Sequence, residues 1–111
     1  MAKKRFPLPK TRKFDIGQKV IEALADSEAR LILFSIVRKG QTAASLAEML
    51  RLPLSSVYKK IGDLEELTLI EVEKQLLTDK GRTYKVYRSR IRSANIAINR
   101  TEPKLTLVSR K

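Results

Sequence analysis

At 111 residues and 42% hydrophobic composition, the chain suffices for one domain with a modest core and is too short for a multidomain enzyme. It has no cysteine and no histidine, which excludes a disulfide framework, thiolate or imidazole metal sites and the usual neutral-pH proton shuttle. Lysine and arginine number 24 against 12 acids, and the formal charge of +12 favours a polyanionic partner.

Residues 1–13 carry six basic residues, no acid, and both Pro7 and Pro9. That composition cannot bury apolar surface and reads as a mobile arm, with Lys3, Lys4 and Arg5 available to an anion. A single domain is expected over 14–92. From Asp15 to Ala25, Ile16, Val20, Ala23 and Leu24 recur at helical spacing, with Asp15 as the expected cap. A second helix opens at Asp26 or Ser27, ends with Arg38 and Lys39 in its last turn, and has Gly40 just beyond. Its middle, Leu31 to Val37, is apolar nearly all round and marks the most buried helix. The longest unbroken apolar run, Leu31 to Phe34, is four residues against the roughly 20 that span a bilayer, so a soluble, cytoplasmic chain is expected.

Thr42 is the expected cap of a third helix ending at Leu50, with Leu46, Met49 and Leu50 as its apolar stripe. After the turn Arg51-Leu52-Pro53, a fourth helix runs from about Leu54 to Leu67 and points Val57, Ile61 and Leu64 inward. Its opposite face carries Ser55, Ser56, Tyr58, Lys59, Gly62 and Asp63, with Lys60 alongside. From Leu69 to Leu76 the period changes to two, which predicts a half-buried strand. Thr78-Asp79-Lys80-Gly81 then supplies a turn into a second strand from Thr83 to Ile91. Arg88, Arg90 and Arg92 alternate as a cationic stripe along its continuation. The segment 93–111 alternates weakly through Ile96, Ile98, Leu105 and Leu107, and is expected as a β extension that enlarges the sheet or meets a second subunit.

Charge is segregated along this plan. Residues 14–73 hold seven basic and ten acidic residues, whereas 74–111 hold eleven basic and two acidic. Two short helices joined by a tight turn, the second polar and basic on the exposed part of its first half, match the major groove of B-DNA, about 12 Å wide. Lys59 can reach guanine or phosphate. Ser55, Ser56 and Tyr58 can donate to bases or phosphate oxygens, and Lys80 and Arg82 at the hairpin tip can lie over the neighbouring backbone or minor groove.

The stretch from Ser27 to Arg88 resembles the winged helix-turn-helix domain of prokaryotic, especially archaeal, transcription regulators of the broad ArsR-like type. The resemblance is carried by Thr42 to Leu50, Leu52 to Ile61, Leu64 to Ile70 and Gly81 to Tyr87. It implies an α+β fold, a recognition helix over about 54–67, contacts from Thr42, and a homodimer on double-stranded DNA without metal, cofactor or membrane. Arg51 and Thr68 stand where the family has turn glycines. A non-glycine residue in the left-handed region costs on the order of 1 kcal/mol, so these two turns are expected to differ in shape. The cysteines and histidines with which many such regulators sense metals are absent.

The leading functional expectation is a sequence-specific, nucleoid-associated transcription regulator that is not an enzyme. Two alternatives use the same fold: an RNA- or ribosome-associated protein, and a nucleoid-organising protein without base readout. Against RNA, only three tyrosines and three phenylalanines are present, and none is expected to cluster as a base-stacking platform.

Overall fold

The structure, a computed structural model, describes residues 12–99 and 101–111. The expected contacts Lys3, Lys4 and Arg5 lie outside the described residues. Among the described residues, four helices, with a two-residue strand between the second and third, are followed by two antiparallel hairpins in an α+β arrangement.

Helix α1 (Arg12–Ala25) begins three residues ahead of Asp15, which is therefore inside the helix and not its cap. No helix breaker separates Arg12 from Asp15, and Arg and Lys are good helix formers. Val20 and Leu24 deliver its buried face. Helix α2 (Ser27–Ser35) is capped by Asp26, whose carboxylate accepts from the Glu28 N–H at 3.3 Å. Ile32 and Leu33 are fully buried, as expected of the central helix, but Leu31 is 52% exposed, so one side of α2 is open.

Helix α2 stops at Ser35, leaving Arg38 and Lys39 outside its last turn. The cause lies some 50 residues downstream. The Ser89 N–H donates to the Ile36 carbonyl at 3.0 Å, and the Arg88 guanidinium donates to the carbonyls of Val37 at 2.9 Å and Arg38 at 2.8 Å. These bonds satisfy carbonyls that a longer helix would have used, and β-branched Ile36 and Val37 lose little by leaving it. Arg88 is thus a structural cap, also bonded to Glu73 at 2.6 Å, and it leaves the expected cationic stripe. Gly40 serves close packing and not a helix end: a Cβ there would sit 2.6 Å from Glu73 Oε1 and 2.7 Å from Val86 Cγ1.

Strand β1 (Gln41–Thr42) leads directly into α3 (Ala43–Leu50), where Thr42 Oγ1 accepts from the Ser45 N–H at 3.1 Å. Leu46 is buried and Leu50 packs against the core, but Met49 is 53% exposed, so the apolar stripe of α3 is narrower than expected. Helix α4 (Leu54–Glu66) buries Val57, Ile61 and Leu64. Arg51 after α3 and Thr68 after α4 have φ of 57° and 59°. The expectation of altered turns is therefore corrected: both keep the left-handed geometry with a non-glycine residue in place. At Thr68 the closure is a Schellman motif. The Leu69 N–H reaches the Leu64 carbonyl at 3.0 Å, the Thr68 N–H reaches Glu65 at 2.9 Å, and buried Leu64 and Leu69 close the apolar side.

Strands β2 (Ile70–Leu77) and β3 (Thr83–Ser89) form a hairpin, and β1 adds to β3 in the order β1-β3-β2. The expected half-buried strand holds only for Ile70, Glu71 and Val72. A bulge at Glu73 breaks the register, and from there to Leu77 every residue is exposed. Strands β4 (Ile91–Ala97) and β5 (Lys104–Ser109) pair as a separate hairpin, so the segment after 93 does not enlarge the first sheet. Buried Ser89 turns the chain between sheets: its hydroxyl donates to the Ile91 carbonyl at 2.5 Å and accepts from the Ile91 N–H at 3.2 Å. Arg110 fastens the far strand, donating to the Ser89 carbonyl at 2.6 Å and to Glu71 at 2.9 Å. The described chain measures 62 × 25 × 23 Å.

Candidate nucleic-acid interface

The row Val57, Ile61, Leu64 fixes the rotation of α4 about its axis. It leaves Ser55, Tyr58, Lys59, Gly62 and Asp63 exposed on the outward side, with Ser56 half-buried. Tyr58 is 54% exposed. The Lys59 side chain is 77% exposed, and its ion pair with Asp63, one turn on, is long at 3.8 Å. Such an exposed pair contributes roughly 0–1 kcal/mol and holds the cation weakly. Among the described residues no side chain caps α4. Pro53 precedes it, and the first helical bond runs from the Val57 N–H to the Pro53 carbonyl at 3.1 Å, so the N–H groups ahead of Val57 have no partner within the helix and lie at the positive end of its dipole.

Lys60, one residue along, has a different job. Its ammonium is bound to Asp26, the cap of α2, and only about a quarter of its side chain is exposed. The hydrogen bond from Lys60 holds the Asp26 carboxyl below the ordinary carboxylate range, and the same bond raises Lys60. Lys60 therefore joins α4 to the α1–α2 elbow and is not presented with Lys59. Thr42 is also occupied, because its hydroxyl oxygen caps α3, although the residue borders the same face.

At the end of the β2–β3 hairpin, Lys80 and Arg82 are exposed. The turn is held by the Thr78 N–H to the Arg82 carbonyl at 2.8 Å and by the Arg82 N–H to Thr78 Oγ1 at 3.0 Å. Gly81, at φ 82°, supplies the conformation this closure needs. The tip cations are thus placed by bonds that do not use their own side chains.

Between the start of α4 and β3 runs a groove of about 540 Å³. It is lined by Thr42, Leu54 and Tyr58 from the helical side and by Arg82, Tyr84, Lys85 and Tyr87 from the hairpin. Of these, Leu54, Tyr84, Lys85 and Tyr87 were not among the expected contact residues. The only sequence sign of them was the tyrosine-rich character of the second strand, because the groove exists only once β1 docks β3 beside α3. The expectation that the aromatics do not cluster is overturned here: all three tyrosines of the chain line this groove. Tyr87 is buried, and its hydroxyl is pushed above the ordinary tyrosine range by that burial first and by Glu65 and Tyr58 next, so it stays neutral.

Fold and surface together define an α+β chain that carries an exposed polar and cationic helix beside a projecting basic hairpin. No family model matches the chain, and no curated protein matches it. Among the described residues no helix is long and apolar enough to cross a membrane, and no group of three or more acids is placed to hold a metal ion.

Proposed function

We propose that this chain is a winged-helix, sequence-specific double-stranded DNA-binding regulator. In this reading α4 enters the major groove by its first half, and the β2–β3 hairpin is the wing. The observation that carries it is the outward row Ser55, Tyr58 and Lys59 on α4, set beside Lys80 and Arg82 on a hairpin that projects from the body. Base edges would be read by the row, and phosphates by the hairpin cations. Glu66 and Asp63 lie toward the far end of α4, where their charge opposes deeper entry along the helix.

A homodimer on a near-palindromic site fits the same reading. One face of the β4–β5 hairpin leaves Ile96 and Leu107 about 40% exposed and Ile98 70% exposed beyond them, an apolar strip available to a second copy. Selection of bound duplexes from a random pool tests both parts. An enriched motif with two-fold symmetry is the expected result. A pool that stays random under binding excludes specific readout, and an asymmetric half-site excludes the symmetric dimer.

A further inference from the structure

The groove between α4 and β3 has a composition that duplex reading does not require. The three tyrosines are distributed over 30 residues of sequence, yet all of them line it. Tyr58 and Tyr84 are each about half exposed, while Tyr87 is 6% exposed and held in the sheet by its pairing with Gln41 and Val72. Strand β1 covers β3 only at Val86 and Tyr87, so the edge of β3 from Thr83 to Lys85 is open along the groove. Alternation puts Lys85 and Tyr87 on one face of β3 and Tyr84 on the other, and the open edge lets residues of both faces border the same space. Arg82 and Lys85 supply cations at its hairpin side, and none of the lining residues is acidic.

Phosphate contact alone calls for exposed lysine and arginine, as at Lys80, and not for aromatic walls. A concave site of about 540 Å³ that is aromatic on its walls and cationic at its rim has the size of a small-molecule cleft. Its chemistry is that of flat π-faces strung on a phosphate backbone: every nucleobase offers a face to stack on tyrosine, and Arg and Lys hold the linking phosphates. Paired bases inside a duplex hide those faces. We propose that this groove binds unpaired nucleobases of a single-stranded nucleic acid, stacked on Tyr58 and Tyr84 with the phosphates held by Arg82 and Lys85. The site shares one wall with the duplex-reading surface but does not depend on that reading being correct.

The chain has three tyrosines and no tryptophan, so its intrinsic fluorescence comes from this groove alone. The test titrates the full chain with a thymidine oligomer, a uridine oligomer, an abasic phosphodiester strand of equal length and charge, and a closed hairpin duplex without unpaired ends. The expected result is quenching by a base-bearing strand with affinity at least about tenfold above that for the abasic strand. Tyr58→Ala and Tyr84→Ala should each weaken that binding by roughly tenfold, while Tyr58→Phe and Tyr84→Phe keep it, because a ring without its hydroxyl still stacks. Both sites are exposed, and circular dichroism of each variant checks that the fold persists. A preference for thymidine or for uridine supports the inference either way and tells DNA from RNA as the source of the bases. Equal affinity for abasic and base-bearing strands, or alanine variants that bind like the parent chain, overturns it. A chain that binds the closed duplex but no single strand loses this inference and keeps the duplex reading; the converse result does the opposite.

Discussion

Arg51 and Thr68 sit at φ of 57° and 59°, a region in which a Cβ crowds the following carbonyl. Thr68 is the more strained by type, since β-branching makes a positive φ a genuine outlier. Its hydroxyl recovers part of the cost by donating to the Leu67 carbonyl at 2.6 Å. What holds both residues there is their surroundings: the Leu52 N–H bonded to the Ala47 carbonyl at 3.0 Å after α3, and the Schellman pair after α4. Thr68→Gly and Arg51→Gly should therefore each stabilise the fold by up to about 1 kcal/mol, with glycine's greater freedom in the unfolded chain limiting the gain. Urea unfolding of the two variants measures this directly, and a loss of stability in both would show that the turns are not strained. Both turns keep the left-handed geometry although neither residue is glycine: at Thr68, closure by buried Leu64 and Leu69 outweighs the preference of one residue.

At the scale of elements, the joint between α4 and the α1–α2 elbow rests on Asp26, which caps α2 and also binds Lys60. Asp26→Asn separates the two roles, because Asn caps as well as Asp does but cannot form the ion pair. With the Lys60 and Asp26 side chains 26% and 35% exposed, the pair contributes up to about 1 kcal/mol. Asp26 is lowered in the folded state, so its contribution is full above the ordinary carboxylate value of about 3.9 and is lost as pH falls through the lower folded value. Lys60 is raised, so its share is full below about 10.4 and is lost as pH rises through the higher folded value. The parent chain should thus exceed Asp26→Asn in unfolding free energy at neutral pH and match it in strong acid; a gap that persists in acid would mean the two charges are not the source. Elements with a sustained period were legible in the sequence: α1, α3, α4, β2 and β3 fall within a few residues of where periodicity places them. Strand β1, two residues long, has no period to read, and the end of α2 depends on Arg88, whose role no local window contains. The tyrosine groove was hidden for the same reason, being assembled from the α3 start, α4 and β3.

Across the described residues, the ion pairs show which of the many cations are held against the protein itself. Arg88 and Arg110 are each less than a fifth exposed and are engaged by Glu73 and Glu71, so part of the charge in the basic final third is internal: Arg88 ties β3 to β2 and to the end of α2, and Arg110 ties the second hairpin to the first sheet. Lys80 and Arg82 are exposed on the hairpin beside α4, whereas Arg92 lies with Phe34, Val37 and Arg38 near the end of α2. If duplex DNA meets the α4 side, log affinity against log salt should lose about 0.9 of slope for each phosphate contact removed. Lys80→Ala and Arg82→Ala are then each expected to flatten the salt dependence by about that amount, and Arg92→Ala to leave it unchanged. Fluorescence anisotropy of a labelled duplex over a salt series reads all three variants against the parent chain. The opposite ranking, with Arg92 flattening the slope and the hairpin pair leaving it intact, would move the phosphate contacts to the other side of the molecule and leave the outward row of α4 without a duplex to read.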